Sequence, residues 1–165
     1  MSEYKCPICN SSKSPDDVFF GGASTTSIIC CKSCSKGFLD DHSTINKNPL
    51  LATRLAFRRV LQDIKGIEIV SVQLNDPARH ELTFKKSDLD EWNEALKKVF
   101  GPIAKNIGEE CDAEQKKACR PHGGIRKHQI LYMKKFVSHT LIAMIWQWAD
   151  RDLASLKLIV EPQPR

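Results

Sequence analysis

The chain has 165 residues, a formal net charge of +5 and a hydrophobic content of 41%. This length allows one domain, or one domain with a small metal-bound lobe, and the hydrophobic content is enough for a core. The N-terminus lacks the apolar run of a signal peptide, and no stretch approaches the roughly 18 uninterrupted apolar residues of a membrane span. We therefore expect a soluble, cytoplasmic protein with reduced thiols and no membrane partner.

Two cysteine pairs of matched spacing lie in the first 34 residues. Cys6 and Cys9 form one Cys-x-x-Cys pair, and about twenty residues separate it from a Cys-Cys-x-x-Cys run at positions 30–34. Two such pairs supply four thiolates, which is the complete ligand set of a tetrahedral, structural Zn²⁺. Cys30 competes with Cys31 for the third place, but Cys31 has the spacing of the first pair. The predicted zinc ligands are Cys6, Cys9, Cys31 and Cys34.

Residues 1–47 contain many small and turn residues and few periodic apolar positions. Val18-Phe19-Phe20 and positions 25–29 are predicted to pair as a short hairpin that leads into the second cysteine pair. A knuckle, a hairpin and a second knuckle followed by a helix describe a treble-clef finger better than a zinc ribbon. So small a lobe buries little, so the metal must supply its stability, on the order of 10–16 kcal/mol in finger peptides.

Residues 48–165 are predicted to form a mainly helical domain with one β-hairpin at about residues 67–85. The first helix begins near Asn48-Pro49 and ends at Gly66. The predicted elements that follow are an amphipathic helix over 89–107 with a break at Gly101-Pro102, a short helix over 112–119, a long helix over 126–149 and a closing strand over 156–160. The predicted class is α+β, with a treble-clef zinc lobe, a β-hairpin and three main helices.

The segments around the cysteines resemble bacterial HNH-type endonucleases of the zinc-bound kind. The similarity is carried by Cys6-Pro-Ile-Cys9, by the Asp16–Gly22 segment, and by the Ile29–Phe38 run with Asp40-Asp41 after it. It covers about the first 65 residues, and it implies a nucleic-acid role in a bacterial or phage protein.

The same resemblance implies the catalytic positions. In that family a histidine acts as general base beside a divalent metal, and an asparagine follows the last cysteine. Here Asp17, or Asp16, holds the matching position of the histidine, and Ser35 replaces the asparagine. The interpretation is a zinc-binding, nucleic-acid-associated protein derived from an HNH-like endonuclease, with an active Mg²⁺- or Mn²⁺-dependent endonuclease as the alternative. The candidate catalytic residues are Asp17, Asp40, Asp41 and His42, of which His42 is otherwise an exposed loop residue.

A basic segment between positions 116 and 135 carries seven Lys/Arg and no acid. Such a local excess predicts a phosphate-binding surface, with DNA favoured over RNA, and its alternative is a solvated loop and helix start. Gly123-Gly124 would let the backbone approach a phosphate, or would simply make a turn. The predicted nucleic-acid-binding residues are Lys116, Lys117, Arg120, Arg126, Lys127, Lys134 and Lys135.

Two further features leave alternatives open. Cys119-x-x-His122 could form a second metal site together with Cys111 and His128, although the spacing fits no common pattern and ordinary thiols and loop histidines explain it too. The apolar stretch Leu141–Trp148 is either core or an interface for a protein partner. In the latter case the chain is an interaction adaptor in a phage-defence or mobile-element system.

Overall fold

The computed structural model describes residues 4–6, 11–20, 28–33, 56–57, 59–61, 63–64, 66–75, 78–136 and 139–162. Two short antiparallel hairpins come first. Strand β1 (Tyr4–Lys5) pairs with β2 (Ser12–Lys13), and β3 (Val18–Phe20) pairs with β4 (Ile28–Cys31). Strand β3 and its pairing with β4 confirm the predicted hairpin, but β4 extends beyond the predicted strand end at residue 29 to Cys31, and positions 25–27 lie outside the described residues. Positions 32 and 33, directly after it, are helical.

Helix α1 comprises the helical positions 56–57, 59–61 and 63. Phe57, Val60 and Ile64 are buried at steps of three and four, so one face of this helix packs into the core. The predicted start of this helix at Asn48-Pro49 lies outside the described residues.

Five antiparallel strands form the main sheet. They are β5 (Ile69–Asn75), β6 (Arg79–Lys85), β7 (Gln129–Lys135), β8 (His139–Gln147) and β9 (Leu153–Pro162), in the spatial order β5-β6-β9-β8-β7. The β5–β6 pair confirms the hairpin predicted at about 67–85, although two register shifts interrupt its ladder. Strand β9 contains the predicted closing strand and extends it at both ends.

The long helix predicted over 126–149 is wrong, because this segment forms β7 and β8. Residues from Thr140 to Ile145 are all buried, since β8 is an inner strand covered on both faces. A strand buried on both faces shows no alternation of apolar and polar residues, and a continuous apolar run does not distinguish it from a buried helix. The domain over 48–165 is therefore organised by a sheet and is not mainly helical, while the α+β class is confirmed.

Helix α2 (Leu89–Phe100) covers one face of the sheet, which we call the first face. Its buried residues recur at the predicted steps of three and four, so the amphipathic pattern was interpreted correctly. The helix ends at Gly101, whose φ is +88° and whose N–H donates to the carbonyl of Lys97 at 2.8 Å. The helix therefore ends at the predicted break, and the prediction that it continues beyond the break to residue 107 is wrong.

Helix α3 (Ala113–Cys119) lies on the second face and confirms the short helix predicted over 112–119. A capping box begins it. The Asp112 carboxylate accepts from the Gln115 N–H at 2.7 Å, and the Gln115 side chain accepts from the Asp112 N–H at 3.1 Å. These reciprocal bonds satisfy two donors at the start of a helix that has only seven residues.

The connector between α2 and α3 is anchored by a buried lysine. Lys105 is 1% exposed, and its backbone forms a bridge with Leu131 of β7. Its ammonium donates to the carbonyls of Asn106 at 3.0 Å, Lys127 at 2.9 Å and Gln129 at 2.6 Å. All three ammonium donors therefore have acceptors, and this one side chain ties the connector to the start of β7.

Each face of the sheet supports its own core. On β8, Leu141, Ala143 and Ile145 belong to the first core, whereas Ile142 and Met144 belong to the second, which includes Cys119 of α3. The first core also contains Cys6, Val18 and Cys31 of the N-terminal hairpins. In the part of the chain that the structure describes, no helix is long and apolar enough to cross a membrane.

Candidate functional site

The predicted zinc ligands Cys6 and Cys31 lie together. Cys6 follows β1, and its N–H donates to the carbonyl of Ser11, which closes the base of the first knuckle at 3.0 Å. Cys31 ends β4, and its N–H donates to Cys6 Sγ at 3.3 Å across 25 residues of sequence. Both side chains are buried, at 0% and 1% exposure. A buried sulfur that accepts a backbone N–H is well placed to carry the charge of a metal-bound thiolate.

The other half of the predicted zinc site lies outside the described residues. This applies to Cys9 and Cys34, and to the side chain of Cys30. The described elements run from one hairpin to a second hairpin and then to the helical positions 32 and 33, and the treble clef stays a prediction. The complete ligand set stays a prediction.

Of the predicted catalytic residues, Asp17 belongs to the described part of the chain. Asp17 ends a 3₁₀ turn (Pro15–Asp17) and is exposed. Its carboxylate accepts from the Ser14 hydroxyl at 2.9 Å, and its N–H donates to the Ser14 carbonyl at 3.0 Å, so it closes a local turn. Asp40, Asp41 and His42 lie outside the described residues, and the divalent-metal site stays a prediction.

The second metal site predicted from Cys111, Cys119, His122 and His128 is not formed. Cys119 is fully buried at the end of α3, and this burial, with a smaller contribution from Cys111, raises the pKa of its thiol to about 12. His122 forms a hydrogen bond with Glu161, and His128 is exposed. Among the described positions, which include all four of these residues, no three His, Cys, Asp or Glu side chains are placed to hold a metal.

The predicted basic residues divide between the two faces of the sheet. Lys116, Lys117, Arg120 and Arg126 are exposed on α3 and the loop after it, and no described carboxylate lies within 4.0 Å of them. We call these four residues the basic face. Lys134 does not belong to it, because its ammonium donates to the carbonyl of Val99 at the end of α2 (3.4 Å).

Two more of the predicted cations lie beside acids. Lys127 Nζ is 3.3 Å from Glu110 Oε1, and Lys135 Nζ is 2.5 Å from Glu114 Oε2. All four side chains are more than half exposed, so these pairs are weak and screened by salt. They lower the local excess of positive charge beside the basic face but do not remove it.

The fold shows the surroundings of three further features near the basic segment. Gly123 and Gly124 have φ values of +96° and +76°, and the N–H of Gly124 donates to the Cys119 carbonyl at 2.9 Å, so the pair forms the turn that ends α3. Tyr132 and Phe136 are buried in the first core. The Leu141–Trp148 stretch is for the most part core, which removes the protein-interface interpretation of that stretch.

A cleft of about 460 Å³ opens between α3 and the sheet. Its apolar walls are Ala118, Pro121, Met133 and Pro162. Four polar residues complete it: Glu114, Lys117, Thr140 and Glu161. No sequence pattern predicts this cleft, because its residues come from α3, the 3₁₀ turn after it and three strands, and they share no motif.

A hydrogen-bonded pair stands at one wall of this cleft. His122 Nε2 lies 2.6 Å from Glu161 Oε2, and the two side chains are only 16% and 24% exposed. Nearby, Lys157 Nζ donates to the His122 carbonyl at 3.4 Å and lies 3.8 Å from Glu81 Oε2. Desolvation lowers the pKa of Lys157, and the Glu81 carboxylate opposes this shift. Charged groups thus continue from the cleft across the second face of the sheet.

No protein-family model, no curated protein and no solved structure matches this chain.

Proposed function

We propose that this chain is a zinc-binding, nucleic-acid-associated protein, derived from an HNH-like endonuclease and retaining its metal-held frame. In this proposal a structural Zn²⁺ stabilises the N-terminal hairpins, and the basic face binds backbone phosphates, with DNA as the expected partner. The observation that carries it is the group of four exposed cations on and after α3 that have no carboxylate within 4.0 Å among the described residues.

The zinc part of the proposal is supported by the contact between Cys6 and Cys31. The protein folds these two cysteines together from positions 25 residues apart and buries both. Thiolates in a buried position need a compensating charge, and Zn²⁺ bound by four sulfurs supplies it without an open coordination position. With Cys9 and Cys34 as the remaining ligands, the ion would be structural.

Metal content tests this part. The purified chain is expected to hold one zinc per molecule, measured by atomic emission, and Cys31→Ser or Cys34→Ser should lose most of it. Cys111→Ser is the matched control, because Cys111 is a half-buried thiol outside the predicted ligand set. Full zinc retention by both ligand variants would contradict the proposal.

The nucleic-acid part follows from electrostatics. Each cation that neutralises a phosphate of a single strand contributes roughly 0.7 to the slope of log affinity against log salt, so four contacts give a slope of about 3. Such binding depends on the phosphate backbone of the nucleic acid and not on its base sequence. It requires exposed cations that are not already paired, which the basic face provides.

Charge reversal tests the basic face. A labelled single-stranded DNA is titrated with the protein between about 50 and 200 mM salt. Lys116→Glu combined with Arg120→Glu is expected to weaken binding at least tenfold and to reduce the salt slope by about half. The control is Lys97→Glu with Lys98→Glu, which changes the net charge equally on α2, at the other face of the sheet. Equal weakening by both variants, or no binding by the parent protein, would refute the proposal.

A further inference from the structure

We propose that the cleft beside α3 binds one unpaired guanine base, which the carboxylate of Glu161 recognises by its adjacent N–H donors. This inference rests on the proposed function and specifies it further. Such recognition would make a surface that binds the backbone of any nucleic-acid strand selective for one base.

The size and walls of the cleft suit a flat heterocycle. Its volume of about 460 Å³ lies within the roughly 300–1,000 Å³ that small-ligand sites occupy. Ala118 and Pro121 form the wall on the α3 side, and Met133 and Pro162 form the wall on the sheet side. These side chains have no hydrogen-bonding hydrogen, so they can pack on both faces of a base without competing for its edge.

Glu161 supplies the polar recognition. Its Oε2 is held by His122 Nε2 at 2.6 Å, while among the described residues its Oε1 has no hydrogen-bond partner. An ionised carboxylate only accepts hydrogen bonds, and each oxygen has two lone pairs. His122 is a positioning residue here, because its bond fixes the direction in which the carboxylate faces the cleft.

Guanine is the base that matches this acceptor. Its Watson–Crick edge presents two neighbouring donors, N1–H and the N2 amino group, and a carboxylate can accept both. Adenine and cytosine each place a ring acceptor next to their amino group, and thymine places a carbonyl on each side of its single N–H. In those three bases an acceptor would face the negative charge of Glu161.

The cleft also adjoins the basic face. Lys117 belongs to both, so a base bound in the cleft leaves its own phosphate near an exposed ammonium. The other carboxylate of the cleft, Glu114, is paired with Lys135 at 2.5 Å. Its repulsion of a phosphate is therefore reduced, which makes simultaneous binding of base and phosphate compatible with the charges present.

Base preference in a constant backbone is the test. Oligothymidylates that carry one central guanine, adenine or cytosine are compared with the unsubstituted strand at fixed salt. We expect the guanine strand to bind about tenfold more tightly, as a two-donor contact to a base edge usually gives. Glu161→Gln should abolish this preference, while oligothymidylate should still bind, and somewhat more tightly, because one negative charge beside the basic face is removed. Glu91→Gln on α2, which removes the same charge on the other face of the sheet, should keep the preference.

Two further variants distinguish a specific loss of guanine recognition from misfolding. Ala118→Leu fills the cleft without changing charge and is expected to remove the guanine preference while backbone binding persists. His122→Ala leaves the carboxylate in place but frees it, so the preference should weaken without vanishing. A guanine preference that survives both Glu161→Gln and Ala118→Leu would overturn the proposal, as would a parent protein that binds all the strands equally.

The last of these outcomes leaves the proposed function intact, because backbone binding would still be present. If the parent protein binds no oligonucleotide at all, titration with uncharged guanosine tests guanine binding in the cleft separately from phosphate binding by the basic face. Shifts in the amide resonances of Ala118 and Met133 with guanosine, but not with adenosine, would support the cleft without the basic face. No shift with either nucleoside would refute the cleft.

Discussion

At the scale of single residues, the connector depends on Lys105. This side chain is buried, and its charge is balanced by three backbone carbonyls, without a carboxylate among its described acceptors. Removing one member of a buried hydrogen-bonded set leaves the others unsatisfied, which costs more than the bonds themselves contribute. Lys105 therefore has a structural role that its residue type does not suggest.

Lys105→Met tests this role, because methionine keeps most of the side-chain volume and removes the three donors. We expect the free energy of unfolding in urea to fall by about 3 kcal/mol. Lys116→Met at an exposed position should change it by no more than about 0.5 kcal/mol. Equal unfolding midpoints for the two variants would show that Lys105 is dispensable.

A second prediction at this scale concerns the reactivity of the buried Cys119 thiol. Its pKa is raised to about 12, from an ordinary value of 9.0, mainly because burial disfavours the thiolate. The thiolate is the species that reacts, so iodoacetamide at pH 8 should modify Cys111 well before Cys119 in the folded protein. Mass spectrometry of the peptides measures this, and urea should make the two rates similar. Faster labelling of Cys119 in the folded state would contradict the burial argument.

The same pKa shift has a consequence for stability. The folded thiol holds its proton more tightly than the unfolded one, so its contribution is complete below pH 9 and is lost as the pH rises from 9 towards 12. Burial also raises the pKa of the Tyr132 hydroxyl, so this residue acts in the same direction. The urea midpoint is expected to decline over this interval, and Cys119→Ala should make the decline shallower.

At the scale of elements, α3 carries the basic face and one wall of the cleft, so its stability affects both. It is short, and the Asp112–Gln115 capping box is what satisfies its first donors. Helix α2 begins differently: Asp88 occupies the N-cap position, but its side chain makes no capping bond to the helix backbone. The two helices therefore provide a comparison within one molecule.

We expect Asp112→Ala to destabilise α3 by about 1 kcal/mol, the usual effect of losing a capping side chain. Hydrogen exchange at Lys117, Ala118 and Cys119 should become faster, and binding of DNA should weaken. Asp88→Ala is the control and should change exchange in α2 by a few tenths of a kcal/mol at most. Protection of α3 that does not change in Asp112→Ala would show that packing on the sheet, not the cap, holds this helix.

The helices and strands also show where a sequence pattern is enough to predict the secondary structure. The stripe of Trp92, Leu96 and Val99 predicts α2 because only one face of that helix is buried, and Gly101 predicts its end. The stripe from Ile130 to Ile145 also fits a helical spacing, but it runs through the edge strand β7 and the inner strand β8, and the buried run on β8 shows no alternation that would mark a strand. The contact between His122 and Glu161 spans 39 residues, and no local pattern indicates which distant side chains a sheet will bring together.

At the scale of the whole molecule, the cysteines of the N-terminal hairpins share a core with the sheet. Cys6 and Cys31 lie in the same buried cluster as Phe57, Leu82 and Trp92. Because these hairpins pack into the main core, loss of the proposed zinc would disturb that core. This differs from the separate lobe expected over residues 1–47.

Removal of the proposed zinc with a strong chelator should therefore affect the sheet. We expect the near-ultraviolet circular dichroism of Trp92 and Tyr132, both fully buried, to change, and the urea midpoint of the whole protein to fall. Adding zinc back should restore both signals, whereas magnesium should not. An unchanged sheet transition after chelation would show that the two parts fold independently.

Strand β9 follows the other four strands in the chain but lies at the centre of the sheet, between β6 and β8. The β5–β6 and β7–β8 hairpins can form from local contacts, but they cannot join until β9 has been synthesised and inserted between them. A growing chain on the ribosome therefore presents two additional open strand edges, those of β6 and β8, for as long as β9 is missing. Such edges associate readily with other chains, so the interval before β9 emerges is when this protein most needs protection by a chaperone.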